Sequence, residues 1–338
     1  MTVNAKTIYD AVATLGIKRA QVRSLLPEWW DVAVERAPSG VSELAMLVGR
    51  RLSLDVPSLM RGHAVPRGAV ASVAYKHRAG LEPGDLSAAS MIASSLAQTV
   101  LAAMPSMYRK LPSSPAALRR EAAGDGMLGF DSLLSVCWDH GIPVIPLPHL
   151  PVGVRKMDGA ALQIGDRPVV VIAKKKSSRA WLSFILAHEI GHIAKGHLRP
   201  GSTIVDVSLQ ESATYATDAA GDAQEAQADE FALELMGGGE VEAVVRTWSA
   251  YASPVEIAVA ARAASQRLHI EAGHFILRQA FLTKRWAEAV TALRFLSEDF
   301  DPESALLGEF KKRLDLDSIA EDMQDLVTQI TGWDGSDQ

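Results

Sequence analysis

Apolar side chains return at three- and four-residue intervals through the first sixty positions. The stretches "KTIYDAVATLG", "IKRAQVRSLLPEWW", "SGVSELAMLVGRRL" and "DVPSLM" predict short helices broken at Gly16 and Pro27. Leu44, Leu47, Val48 and Leu52 share one helical face, and Leu54, Val56 and Leu59 make a second small apolar set. The helical pattern continues over residues 63–125 and closes in the Pro- and Ser-rich "LPSSPAALRREAAGDG", a connector. The period then changes. After the helical "FDSLLSVCWDHG" come three β-branched runs, "IPVIPLP", "DGAALQIG" and "RPVVVIA", bounded by Pro, Gly and Asp as strands are. A long apolar helix ending in "FILAHEIGHIAKGHL" follows directly. From Val241 onward amphipathic helices return in "VEIAVAARAASQRL" and "RWAEAVTALRFL", with no internal repeat, and "TGWDGSDQ" reads as a frayed tail. The expected architecture is α+β and predominantly helical. A small sheet and one long helix lie within residues 126–238, flanked by helical segments at 1–62, 63–125 and 239–338.

Composition narrows this picture. With 48% hydrophobic and 22% charged residues over 338 positions, the chain is neither disordered nor fibrous and is long enough for two or three cores. A single cysteine, Cys137, excludes a disulfide framework, reads as a small core residue and fits a reducing, cytoplasmic setting. The opening "MTVNAKTIYDAVATLG" lacks a basic start and apolar block, so no signal peptide is expected. Leu86 to Tyr108 is uncharged and as long as a spanning helix. Its Ala and Ser content, with Gln98, Thr99 and Pro105, makes transfer into lipid unfavourable, and it reads as a buried helix packed by small residues. The net charge of -6 divides unevenly, with 15 Lys+Arg against 10 Asp+Glu over residues 1–126 and 19 against 30 thereafter. DNA contact through residues 1–62 is compatible with that excess, but a solvated surface accounts for it better.

The chemistry sits in the long helix. Ser177 and Ser178 are placed to cap it, and Trp181, Leu182, Phe184, Ile185, Leu186, Ile190 and Ile193 leave it no polar face, so it is buried. His188 and His192 lie about 40° apart around the axis and one turn apart along it, so both imidazoles reach one point. Glu189 projects about 100° further round, off that face but within reach of a water held before the imidazoles. The order is H-E-x-x-H, in which the histidines bind zinc and the glutamate is the general base. Catalytic zinc takes a third protein ligand. His197 stands at the wrong offset for the metzincin arrangement, whose glycine and histidine positions hold Lys195 and Leu198 here.

A better third ligand lies 33 residues beyond His192, in "GDAQEAQADEFALELMGGG". With Glu225 as origin, Ala228, Phe231, Ala232, Leu235 and Met236 project to about 300°, 240°, 340°, 280° and 20°, and Asp229 to about 40°. Glu225 and Asp229 therefore face inward, while Glu230 and Glu234, at about 140° and 180°, face solvent. Inward carboxylates call for a cation, either Arg or Lys or a Zn²⁺ ion on His188 and His192. On the metal reading Glu225 is the third ligand, and Asp229 accepts a histidine ring N–H and fixes its tautomer. Tyr215, Tyr251 and His149 are candidate donors to an oxyanion, among which spacing does not choose. An exposed edge among the strands at 158–173 is the expected seat of an extended substrate.

These residues carry a resemblance. "AWLSFILAHEIGHIAKGH" followed by "QEAQADEFALELM" resembles the ImmA/IrrE family of zinc metallopeptidases. That family joins H-E-x-x-H to a downstream E-x-x-A-[DN]-x-F-A-like helix, here Glu225, Ala228, Asp229, Phe231 and Ala232. "CWDHGIPVIPLP" and "MDGAALQIGDRPVVVIA" resemble the strand region that precedes the active helix in that family. The resemblance covers about residues 126–238, and "LAMLVGRRLSLDVPSLM" resembles the last two helices of a lambda-repressor-type helix-turn-helix domain. It implies a zincin-like peptidase core holding Zn²⁺, fused to a helix-turn-helix-like segment. The implied activity is a cytoplasmic endopeptidase that cuts repressors silencing mobile-element or stress genes. Some members carry a GAF-like sensor after the peptidase, whereas residues 240–338 read as wholly helical. The alternatives are an inactive scaffold and a DNA-binding transcription regulator with a structural or inactive zinc site. Glu189 separates enzyme from regulator, because a structural site has no use for a carboxylate beside the metal and tends to close with four protein ligands. No membrane partner is expected.

Overall fold

The sheet is held together by segments far apart in the chain. The structure is a computed structural model that describes residues 3–67, 72–76, 87–124, 126–155, 157–173, 178–199, 202–206, 223–296 and 300–333. Helices α1 (Ala5–Ala13), α2 (Arg19–Ser24), α3 (Pro38–Arg51) and α4 (Val56–Leu59) precede strand β1 (Ser72–Lys76). Then come α5 (Ser87–Ala103), α6 (Pro115–Ala123), α7 (Phe130–Asp139), β2 (Val144–Pro146), β3 (Gly159–Ile164), β4 (Arg167–Ile172), α8 (Arg179–Ala194) and β5 (Ser202–Asp206). The rest is helical: α9 (Ala223–Leu235), α10 (Gly238–Val245), α11 (Pro254–Leu268), α12 (Ala272–Thr283), α13 (Trp286–Leu296), α14 (Pro302–Arg313) and α15 (Glu321–Thr331).

The strands lie in the order β1-β5-β3-β4-β2. β3 and β4 form a hairpin over Gly165 and Asp166, and the φ of 60° at Gly165 is one such two-residue turns demand. β5 pairs antiparallel with β3, and β1 and β2 add parallel strands outside, Ser72 facing Ser202 and Val144 facing Val170. Two expectations are corrected here. Residues 63–125 are not wholly helical, since β1 joins the sheet through hydrogen bonds to a strand about 130 positions later. The strands at 158–173 are not edge strands among the described residues, because β3 lies between β5 and β4 and β4 between β3 and β2.

α8 rests on β3 and β4, with α7, α9 and α12 packed around it, so every residue from Ala180 to Ala194 is buried. That enclosure explains a helix with no polar face. Ser178 caps it, its side chain accepting from the Trp181 N–H at 3.4 Å, while Ser177 lies outside the described residues. α5 is buried as expected, with Ala89, Ser90, Ile92, Ala93, Ser94, Leu96, Ala97 and Val100 inaccessible to solvent. Among the described residues no helix is long and apolar enough to cross a membrane. The buried thiol of Cys137 is pushed up by desolvation, which suits a core role.

Residues 1–62 share one continuous core with the C-terminal helices. Arg51 is buried and donates to Leu25 O at 2.5 Å, Asp322 O at 2.8 Å and Asp325 Oδ1 at 2.6 Å, while Arg50 pairs with Asp322. α3 is thereby tied to α15.

His274, on α12, is buried and shares a small cavity with Phe184 of α8. Its Nε2 lies 3.7 Å from Glu271 Oε2, and burial pushes its pKa from 6.5 down to about 3. The unfolded chain takes up this proton below about pH 6.5 and the folded chain only near 3, so the stability present above 6.5 is lost as the pH falls through that window. This one group contributes a slope of up to about 1.4 kcal/mol per pH unit. Denaturant titrations on the acid side are expected to show a shallower decline for His274→Gln than for the parent, and identical slopes would refute the assignment.

Candidate metal centre

Helices α8 and α9 build the site, and a glycine sets their spacing. A Cβ on Gly191 would lie 2.9 Å from Ala228 O and 3.1 Å from Ala228 Cα, inside contact distance, so only glycine lets the two helices approach this closely. The first half of α9 is thus laid over the second half of α8. Glu225 and Asp229, one turn apart, face inward with side chains 12% and 15% exposed, and Glu230 and Glu234 are exposed, as the helical angles predict.

The ring Nε2 atoms of His188 and His192 stand 3.0 Å apart. Glu225 Oε2 is 3.3 Å from His188 Nε2 and its Oε1 is 3.3 Å from His192 Nε2. On the far side of the first ring, His188 Nδ1 meets Asp229 Oδ1 at 2.7 Å, the outer carboxylate contact expected from the sequence. Burial pushes the Glu225 carboxyl up, but the two imidazoles against it more than offset this and hold it well below the usual carboxylate range. Two facing imidazole nitrogens and a carboxylate, all but closed to water, are stable together when a cation is shared among them. The group His188, His192 and Glu225 could bind a metal ion.

Glu189 is fully buried on the same helix, outside that group. Its place depends on a second glycine at the start of β3: a Cβ on Gly159 would fall 2.7 Å from Glu189 Oε1 and 3.0 Å from Ile185 Cγ2. Neither Gly159 nor Gly191 was singled out by pattern, because a glycine's role in close packing depends on what faces it.

His197 and Gln227 also join the site. His197 Nδ1 is 3.0 Å from His192 Nδ1, and His197 Nε2 is 2.9 Å from Gln227 Oε1. A helix-ending motif brings His197 back. Gly196 takes a φ of 72°, its N–H donates to Ile193 O at 3.1 Å, and the His197 N–H donates to His192 O at 3.0 Å. That is a Schellman ending, which sets the residue after its glycine against the residue it bonds. The glycine at the end of the apolar run was the available signal. Among the suggested oxyanion donors, Tyr215 lies outside the described residues, Tyr251 is exposed between α10 and α11, and His149 lies 3.9 Å from Glu303 beside α14.

Enlarging Gly191 tests the helix spacing. Gly191→Ala is expected to destabilise the protein by about 1–3 kcal/mol through overpacking and to weaken metal binding as α9 is displaced. Unfolding and metal titration measure the two effects, and a variant unchanged in both would overturn the close-approach argument. No family model, no curated protein and no solved structure matches the chain.

Proposed function

We propose that the chain is a zinc-dependent endopeptidase with a zincin-like core, and that its substrate is a helix-turn-helix repressor protein. The observation that carries this reading is the convergence of His188 Nε2, His192 Nε2 and the Glu225 carboxylate, with separations of 3.0 and 3.3 Å. Ligands about 2.0–2.1 Å from a tetrahedral ion stand about 3.3 Å from one another, so donor types and spacing both suit zinc. Two imidazoles and one carboxylate make up a catalytic donor set that leaves the fourth position open. A zinc ion bound there supplies Lewis acidity and a water of near-neutral pKa. The Glu189 carboxylate takes the proton of the attacking water and delivers it to the leaving amine nitrogen. Asp229 holds the His188 Nδ1 proton and so keeps that ring's Nε2 free to act as a ligand.

The choice of a repressor as substrate rests on the resemblance of residues 126–238 and of "LAMLVGRRLSLDVPSLM". The rival, a DNA-binding regulator with a structural metal, has less support. Arg50 and Arg51, the basic residues at the end of α3, are engaged by α15. The test pairs metal content with cleavage. Purified protein is expected to hold one zinc per chain and to cut a co-expressed repressor in a reaction that chelator stops and zinc restores. Protein that takes up no metal on titration would sink the reading.

A further inference from the structure

The histidine that the zinc-binding pattern leaves over has a role in the geometry. We infer that His197, anchored by Gln227, is the positioning residue that fixes the tautomer and orientation of His192; the inference rests on the metal-centre reading.

The protons can be placed one at a time. His192 Nε2 faces His188 Nε2 and Glu225, so it must keep its lone pair to act as a ligand. A neutral imidazole has one N–H, and that of His192 must then be on Nδ1. Its neighbour there is His197 Nδ1 at 3.0 Å, which must accept. His197 consequently carries its own proton on Nε2, where the acceptor Gln227 Oε1 waits at 2.9 Å. Each donor meets one acceptor, and the order from Gln227 through His197 to His192 admits a single proton arrangement. His188 has Asp229 in the corresponding place, so each imidazole of the pair is held from behind by a different group. The Schellman ending of α8 fixes the His197 backbone to His192 O, and Gln227 stands on α9 between Glu225 and Asp229. The relay therefore joins the end of one ligand-bearing helix to the other. His192 is inaccessible to solvent and His197 is 8% exposed, so the contact between the two rings is buried, while Gln227 at the outer end is exposed.

The test uses the whole chain with His197→Phe, His197→Asn and Gln227→Ala. Phenylalanine keeps a ring but removes the acceptor, and asparagine places an oxygen where Nδ1 stood. Zinc affinity is measured by competition with a chromophoric chelator, and site geometry by the visible spectrum of the cobalt-loaded protein. The His192 tautomer is read in metal-free protein by long-range ¹H–¹⁵N correlation. His197→Phe is expected to lose about 10–100-fold in zinc affinity, with an altered cobalt spectrum and a mixed His192 tautomer. His197→Asn is expected to recover most of the loss, and Gln227→Ala to fall between. The metal-free unfolding midpoint is expected to fall for His197→Phe, which leaves the buried His192 N–H without its acceptor, and less for His197→Asn, so affinities are compared under conditions where each variant is folded. The inference is overturned if His197→Phe keeps parental affinity and spectrum, or if asparagine is no better than phenylalanine. Failure of the parent chain to bind zinc condemns the metal reading instead, and the tautomer measurement still decides the relay: a His192 proton on Nδ1 that survives His197→Phe overturns it.

Discussion

Glu189→Gln is expected to retain its zinc and to lose about 10²–10⁴-fold in the rate of substrate cleavage, the contribution of a positioned general base. Glutamine has the same shape as glutamate, and at this site shape is demanding, because the side chain fits against the bare backbone of Gly159 with Ile185 beside it. The substitution therefore leaves packing intact and removes only the capacity to accept a proton. Glu189 does not belong to the group of His188, His192 and Glu225, so the metal has no reason to leave. Single-turnover cleavage and metal analysis on one preparation decide the matter. Equal rates for the two proteins, both loaded with zinc, would falsify the assignment of Glu189 as base and return the chain to the regulator reading.

Removing a ligand has the opposite signature. His192→Ala or Glu225→Ala is expected to weaken zinc binding by more than the roughly 100-fold upper range for an outer partner, and to end cleavage because the metal is lost. The two variants differ in what they leave behind. Without Glu225 the two imidazoles, 3.0 Å apart, lose the carboxylate that faces both, so metal-free Glu225→Ala should bury an uncompensated polar pair and unfold at lower denaturant than its parent. Without His192, Glu225 keeps His188 and His197 loses its partner at Nδ1. Isothermal titration with zinc and denaturant unfolding of the metal-free forms separate these effects. A variant lacking Glu225 that binds zinc as the parent does would remove that residue from the metal.

Much of the site was legible because helical geometry acts over short distances. The spacing of four from His188 to His192 places both imidazoles on one face of α8, and the same spacing from Glu225 to Asp229 does so on α9. The apolar pattern of α9 predicted that both carboxylates point inward, and each meets a different nitrogen of the His188 ring. The three runs read as strands are β2, β3 and β4, and the uncharged stretch from Leu86 to Tyr108 contains the buried helix α5. Strands β1 and β5 escaped because β1 pairs with β5, about 130 positions later, and β5 with β1 and β3, so neither belongs to a local hairpin as β3 and β4 do. Strand pairing is decided by which segments meet, which a segment's own pattern does not announce.

By itself the sequence determined local matters: where helices run, which faces they bury, that His188 and His192 share a face, and that Glu225 and Asp229 look inward on another helix. Each depends on residues within about one turn of one another, where backbone geometry leaves little choice. Only the tertiary structure decided that those two faces meet, that Gly191 and Gly159 open the space for them, that His197 returns to His192, and that residues 158–173 lie inside the sheet. Those facts concern what lies opposite a residue across a packed interface, and the identity of that neighbour is set by the whole fold and not by the residue's place in the chain.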